Sequence, residues 1–218
     1  MQQNGKRGRS LAAIASLALV VAPLVSPPVL GAIHRPAAVA ADTAVFAGGC
    51  FWGIEGVFEH LKGVTSAVAG YAGGSTVAPT YEEVSSGATG HAESVRVVYD
   101  PATISYAQLL EVFFSVAHDP TELNRQGPDQ GTQYRSVVFY RNAVQQRAVE
   151  SYVAALGHGK KYPRPIVTQI VPLGTFYPAE AYHQHYMALH PTASYIVYND
   201  APKVARLKRE FPAWYQEP

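Results

Sequence analysis

Cys50 is the single cysteine of the chain, and it stands between Gly49 and Phe51 where a predicted strand gives way to a predicted helix. The free N–H groups and the dipole of a helix N-terminus lower the pKa of a thiol by about one to several units, and the thiolate is the nucleophilic form. Gly49 and Gly53 let backbone approach the sulfur and leave space for a substrate. Phe51 and Trp52 would give the reaction centre an apolar wall. The pattern indicates a reactive cysteine, although a buried structural cysteine among core aromatics has the same pattern.

The composition excludes several classes of protein. A single cysteine allows neither an internal disulfide framework nor a multi-cysteine zinc site. The chain has a net charge of +1, but residues 41–218 hold 13 basic and 16 acidic side chains, a net charge of −3. With no basic run in that part, nucleic acid has no electrostatic footprint to bind. Hydrophobic residues make up 48% of the chain, enough for one buried core.

The first 40 residues have the pattern of a secretory signal. A basic stretch at residues 6–9 precedes an apolar run at 11–25, whose 15 residues are fewer than the roughly 20 needed to span a bilayer. Residues 38–40 (AVA) fit the small-x-small pattern of a cleavage site. We predict a cleaved signal peptide at 1–40, one domain at 41–218, and export to the periplasm or the extracellular side. An uncleaved signal that anchors the protein to the membrane is the alternative.

Hydrophobic spacing predicts alternating strands and helices in the remainder of the chain. Helices are expected from Phe51 to about Leu61, after the capping box of Ser105 and Gln108, and at 142–156 and 179–189, with one helical turn at 81–85. Strands are expected at 43–47, 64–70, 94–99, 134–140 and 166–171. The first six elements read βαββαβ. This order predicts an α+β fold, a two-layer sandwich with helices on one face of a ferredoxin-like sheet, followed by C-terminal additions.

The segment around Cys50 (GCFWG, 49–53) resembles the active-site signature of A-type peptide methionine sulfoxide reductases. Five further segments resemble motifs of that family in the same order: TYEEV (80–84), TGHAE (89–93), NRQGPD (124–129), GTQYRS (131–136) and AYHQ (181–184). The resemblance extends from about residue 45 to 211. It implies reduction of the S epimer of methionine sulfoxide in proteins, and in free methionine sulfoxide too.

The resemblance also implies roles for single residues. Cys50 would attack the sulfoxide sulfur and become a sulfenic acid, and Glu93 would protonate the oxygen. Tyr81 and Tyr134 would hydrogen-bond the same oxygen. Phe51 and Trp52 would hold the ε-methyl group of the substrate. Asp129 would orient the substrate or a water molecule.

His183 is expected to pack or form a hydrogen bond beside the site. His183 and His185 stand two positions apart in a predicted helix and so do not face each other, which makes them a poor pair of metal ligands. We therefore predict no metal site. The basic residues of the C-terminal segment, Lys203, Arg206, Lys208 and Arg209, are interpreted as a solvated helix face.

Many members of this family carry further cysteines near the C-terminus that attack the sulfenic acid, and this chain has none. An external thiol must then reduce Cys50: a thioredoxin-like or glutaredoxin-like protein, or a small thiol. No metal or organic cofactor is expected, because the electrons come from thiols. We predict a monomer, since one accessible pocket must admit varied oxidised proteins.

Two other functions stay open at this point. Cys50 could act as the nucleophile of a hydrolase with His91 or His183 as its base. A catalytically inactive member of the family could instead bind oxidised or methionine-rich surfaces.

Overall fold

The computed structural model describes residues 40–218, so the predicted signal peptide lies outside the described residues except for Ala40. Six strands form one mixed sheet in the spatial order β7-β6-β1-β3-β2-β8. Their neighbours are antiparallel except for the parallel pair β6 and β7. The six strands are β1 (Asp42–Ala47), β2 (Val64–Ala72), β3 (Ala92–Tyr99), β6 (Val137–Tyr140), β7 (Gln169–Pro172) and β8 (Phe176–Pro178), and the short strands β4 (Arg125–Gln126) and β5 (Asp129–Gln130) form a separate hairpin.

Within the described residues, six α-helices connect or follow the strands, and capping side chains begin several of them. They are α1 (Phe51–Glu59), α2 (Tyr81–Ser85), α3 (Tyr106–Val112), α4 (Ala143–His158), α5 (Tyr186–Leu189) and α6 (Ala201–Glu210). Capping boxes begin α2 and α3, and the latter is the predicted box of Ser105 and Gln108. The Asn142 side chain caps α4 by accepting hydrogen bonds from two backbone N–H groups. No helix within residues 40–218 has both the length and the apolar character that a membrane crossing requires.

Alternate residues of the sheet pack on opposite faces, as strand geometry requires. Ala44 and Phe46 of β1 belong to the main core with α1 and α3, in which the Phe46 ring stacks on Phe58 and Phe113 at centroid distances of 5.1 and 4.8 Å. Val45 of β1 lies on the opposite face of the sheet. There it forms a second, smaller apolar cluster with buried residues of β2, β3 and β6. The prediction of helices packed on a sheet in one mixed fold is therefore confirmed, and the sheet is apolar on both faces.

The prediction of one helix over residues 179–189 is wrong. The segment forms a 3-10 turn at Ala181–His183 and then α5, with His185 in the left-handed region at φ 54°. Tertiary hydrogen bonds cause the break. Glu55 Oε2 accepts the His185 N–H at 2.9 Å, and Gln184 Nε2 donates to the carbonyl oxygen of Ala69 at 3.0 Å.

The strand predicted at 134–140 begins only at Val137. Tyr134 ends a 3-10 turn, Thr132–Tyr134, whose Tyr134 N–H bonds the carbonyl of Gly131 at 3.1 Å. Gly131 has φ 135°, a backbone conformation that favours glycine, so the chain turns before it enters the sheet. Tyr134 thus lies on a loop at the end of the strand.

Candidate active site

Cys50 is the N-cap residue of α1, immediately after β1, and only 8% of its surface is exposed. Gly49, which precedes it, has φ 100°. A Cβ atom on Gly49 would lie 2.6 Å from Cγ of Gln126, so this position needs glycine for its conformation and for its space. The loop from the sheet to α1 therefore packs closely on β4, which contains Gln126.

The predicted lowering of the Cys50 pKa is wrong for the thiol in this fold. Burial raises the pKa of the thiol well above its ordinary value, and the charges of Glu93 and Asp200 raise it further. The N–H of Trp52 at the helix N-terminus and the ammonium of Lys203 act in the opposite direction. The effect of desolvation on the Cys50 pKa outweighs that of the helix N-terminus, so the thiol is protonated at neutral pH.

Glu93 lies on β3 with 1% of its surface exposed, and its Oε2 accepts the N–H of Phe51 at 3.1 Å. The carboxyl group and Cys50 thus share one helix N-terminus. Burial raises the pKa of Glu93 to about 8, against the lowering effect of the Phe51 hydrogen bond. At neutral pH the carboxyl group is therefore mostly protonated. In that state it is an acid ready to act.

Tyr81 and Tyr134 lie half-buried near both of these groups. Burial raises the pKa of each hydroxyl, and the negative charge of Glu93 raises it further. Both hydroxyls remain protonated donors at neutral pH. Glu180 fixes the start of α2, since its Oε1 accepts the Tyr81 N–H at 2.8 Å. The structure therefore brings together the acid and the two hydroxyls that the sequence singled out.

Phe51, Trp52 and His183 form an aromatic wall beside Cys50. The Trp52 indole stacks on Tyr186 with centroids 3.8 Å apart, and its Nε1 donates a hydrogen bond to His183 Nδ1 at 3.2 Å. The His183 ring lies 4.9 Å from the Phe51 ring and 4.4 Å from the Tyr81 ring. Burial lowers the pKa of His183, so the ring is neutral and carries its proton on Nε2. His183 therefore orients the indole through this hydrogen bond.

Asp129 lies on β5 and accepts a hydrogen bond from the hydroxyl of Tyr195. Burial raises the pKa of Asp129, although Tyr195 and Lys203 oppose the shift. Tyr195 also meets the Trp52 ring edge-on at a centroid distance of 5.8 Å. The sequence analysis did not single out Tyr195, because nothing in its local sequence sets it apart from the other 13 tyrosines.

The sequence analysis also missed Asp200 and misassigned Lys203. Lys203 is not part of a solvated face: its Nζ lies 3.1 Å from Oδ1 of Asp200, whose side chain is fully buried, and only 18% of the Lys203 side chain is exposed. The spacing along the sequence could have indicated this burial, because Asp200 and Lys203 lie on the same face of the helix as the buried residues Val204 and Leu207. Three neighbours, Arg206, Lys208 and Arg209, do pair with glutamates at the surface, as expected for a solvated face.

Gly53 is the point where this ion pair meets α1. A Cβ atom on Gly53 would lie 2.1 Å from Oδ1 of Asp200 and 2.8 Å from Nζ of Lys203. We expect Gly53→Ala to lower the free energy of unfolding by about 1–3 kcal/mol, because the added methyl group has no room. Gly157→Ala in α4 is the matched control, since nothing lies within 4 Å of its Cβ position. The control should raise the free energy of unfolding by about 0.5–1 kcal/mol, because alanine has a higher helix propensity than glycine. Urea unfolding of both variants measures the two changes. Equal effects of the two substitutions would contradict the packing around Gly53.

One group of metal-ligating side chains occurs within residues 40–218, formed by Glu55, Glu59 and His185. Hydrogen bonds already engage these side chains. His185 Nδ1 bonds Glu59, and Glu55 accepts the N–H groups of Ala69 and His185. The left-handed turn at His185, which the predicted helix did not include, brings the histidine to this place. A separate cavity of about 670 Å³ lies beside it along the outer edge of β2, and Cys50 does not line that cavity.

The geometry does not favour the hydrolase alternative. A base must reach the nucleophile by a hydrogen bond. Among the described residues no histidine bonds Cys50: His183 Nδ1 accepts from Trp52, and His91 packs edge-on against Tyr177 at a centroid distance of 5.7 Å. The titratable side chain that shares the helix end with Cys50 is Glu93.

Comparisons with known proteins agree with this site. Residues 42–215 match the family described as Peptide methionine sulfoxide reductase. Peptide methionine sulfoxide reductase MsrA 2 of Mesorhizobium japonicum is 59% identical over 185 residues, which are 85% of this chain and 95% of that protein. Peptide methionine sulfoxide reductase MsrA of Thermus thermophilus is 49% identical over 170 residues, 78% of this chain and 95% of the relative.

Two solved structures resemble the fold. Methionine sulfoxide reductase A of Corynebacterium diphtheriae has a TM-score of 0.63 and 37% identity, covering 73% of this chain and 78% of that one. The crystal structure of Mxr1 from Saccharomyces cerevisiae in reduced form has a TM-score of 0.66 and 35% identity, covering 73% of this chain and 90% of that one.

Proposed function

Because this chain belongs to the peptide methionine sulfoxide reductase family, we propose that Cys50 is the nucleophile and Glu93 the general acid of its reaction. The chain is an oxidoreductase that reduces methionine sulfoxide with electrons from thiols. The observation that carries the assignment is the hydrogen bond from the Phe51 N–H to Glu93, which holds a largely protonated carboxyl group against the helix end that Cys50 caps.

The reaction follows from these two groups. The Cys50 sulfur attacks the sulfoxide sulfur while Glu93 gives its proton to the sulfoxide oxygen, because the S–O bond breaks only when that oxygen is protonated. Two electrons pass from the Cys50 sulfur to the substrate sulfur, the oxygen passes to Cys50, and the proton lost by the thiol replaces the one that Glu93 gave. A thiol and a sulfoxide thereby become a sulfenic acid and a thioether, and methionine leaves.

The neighbouring side chains would bind and orient the substrate. Tyr81 and Tyr134, both protonated donors, would hydrogen-bond the oxygen as its charge develops. Phe51 and Trp52 would hold the methyl group. Asp129, fixed by Tyr195, would orient the substrate or a water molecule. A site that fixes both the oxygen at Glu93 and the methyl group at the aromatic wall can distinguish the two epimers, and the S epimer is the proposed substrate.

An external thiol completes the cycle in this proposal, because Cys50 is the single cysteine of the chain. One thiol attacks the sulfenic acid, water leaves, and a mixed disulfide forms; a second thiol then releases Cys50. A thioredoxin-like or glutaredoxin-like protein, or a small thiol, can supply both. The chemistry needs no metal or organic cofactor. Oxidised proteins are the proposed substrates, and a monomer is the proposed state.

The fold and the location complete the proposal. The spatial order β6-β1-β3-β2, with every neighbour antiparallel, supports a ferredoxin-like core with C-terminal additions. The pattern of residues 1–40 supports export to the periplasm or the extracellular side, with membrane anchoring by an uncleaved signal as the alternative. An exported enzyme draws its thiols from outside the cytosolic pool.

A single-turnover measurement tests the chemistry. The purified chain is mixed with methionine S-sulfoxide without thiol, and methionine and the mass of Cys50 are followed. We expect about one methionine per protein and the gain of one oxygen on Cys50. Added thiol should then allow repeated turnover, and the R epimer should give no methionine. A folded protein that forms no methionine would overturn the assignment and favour the inactive, binding member of the family.

A further inference from the structure

The C-terminal segment of the chain supplies a charge pair to the Cys50 site. Asp200 is fully buried at the start of α6, and Lys203 Nζ lies 3.1 Å from its Oδ1. Oδ2 of Asp200 has no hydrogen-bond partner among the described residues. The pair packs so closely on the first turn of α1 that Gly53 has no room for a Cβ atom. Cys50, three residues earlier, caps this same turn.

The charges around Cys50 are mostly negative or neutral. Glu93 of β3 and Asp200 raise the pKa of the thiol, and Asp129 of β5 adds a third carboxyl group that acts on Glu93 and Asp200. The charge of Cys50 also raises the pKa of three neutral hydroxyls, those of Tyr81, Tyr134 and Tyr195. Among the described residues that act on the thiol, Lys203 supplies the cationic side chain.

We propose that Lys203 is a positioning residue for Cys50: its ammonium group, held by Asp200 against the first turn of α1, offsets the negative charge of the Cys50 sulfur. The ammonium can do this because it is fixed. A solvated lysine loses most of its effect to screening, whereas the Lys203 side chain is largely buried and anchored by an ion pair. Asp200 has two opposing effects, since it holds the cation in place and also places a negative charge near the sulfur.

The inference rests on the proposed role of Cys50 as the nucleophile. Its test does not need the sulfoxide reaction, because any thiol reagent that reacts with this chain reports on Cys50 alone. Iodoacetamide is a suitable probe, since it is uncharged and a change in the charge of the protein does not attract or repel it. Its alkylation rate, measured from pH 6 to 10 on the full chain, gives the apparent pKa of Cys50.

Two substitutions that break the same ion pair are expected to act in opposite directions. Lys203→Met removes the cation and should raise the apparent pKa of Cys50 by about one unit, which slows alkylation about tenfold at pH 7.5. Asp200→Asn removes a negative charge and should lower the apparent pKa and speed alkylation. Lys208→Met is the control: it lies on the same helix, is exposed and pairs with Glu217, and should change neither value.

The opposite signs separate an electrostatic role from a structural one. Loosening of α6 would affect both variants alike, and thermal unfolding of each variant measures that loosening. Shifts of Lys203→Met and Asp200→Asn in the same direction, or no shift beyond that of Lys208→Met, would overturn the proposal. Opposite shifts in a protein that forms no methionine would leave this inference standing while the proposed function fails.

Discussion

A Cys50→Ser variant is expected to form no methionine above the uncatalysed background in a single turnover, a loss of roughly 10⁴-fold or more. Sulfur is the atom that gives up two electrons and takes the oxygen, and a hydroxyl group cannot do either. The chain has no second cysteine to take over. Rapid quench followed by chromatographic detection of methionine measures the loss against the wild-type chain.

The loss should not come from unfolding. Cys50 makes no side-chain hydrogen bond as the N-cap of α1, whereas serine is among the favoured N-cap residues. The melting temperature of Cys50→Ser should therefore equal or exceed that of the wild type. Formation of methionine by this variant would show that the oxygen is transferred to another group.

Glu93→Gln should slow single-turnover methionine formation by about 10²–10⁴-fold, the range of a lost general acid. An amide keeps the shape and can still accept the Phe51 N–H, so α1 keeps its start. It cannot give a proton to the sulfoxide oxygen. Glutamine also avoids the burial of an ionisable group, and we expect the stability of the fold to be unchanged or higher.

The pH dependence separates an acid from a residue that only shapes the pocket. In the proposed reaction Glu93 acts with its proton, and the pKa of this group is raised to about 8. The thiolate of Cys50 increases with pH in both the wild type and Glu93→Gln, so the ratio of the two single-turnover rates isolates the acid. This ratio should be largest below pH 8 and fall as the pH rises through that value. A ratio that stays constant from pH 6 to 10 would contradict the role of Glu93.

Local sequence predicted the elements whose causes are local. The box of Ser105 and Gln108 starts α3, the turn at 81–85 is the helix α2, and Cys50 stands where β1 gives way to α1. Short-range hydrogen bonds and hydrophobic spacing are sufficient to fix such features. The residues around Cys50 could be identified from the sequence because they belong to motifs. Their hydrogen bonds could not be predicted from the sequence.

Contacts between distant segments decided what the sequence could not show. The helix predicted at 179–189 breaks because Glu55, 130 positions away, binds the His185 N–H. The Cys50 pKa rises because the folded chain buries the thiol beside Glu93 and Asp200, which outweighs the helix end. A lysine in a basic segment is usually exposed, so the sequence indicated a surface position for Lys203. The packing of α6 on α1 places its side chain at the site instead.

The proposed reaction at a single sulfur has a consequence for the rate law. Cys50, with 8% of its surface exposed, would meet first the sulfoxide and later the reducing thiol. The two reactants therefore exclude each other, and methionine departs before the reductant binds. Steady-state rates should follow a ping-pong pattern, with parallel lines in double-reciprocal plots. An excess of either reactant should slow turnover by occupying the form of the enzyme that awaits the other.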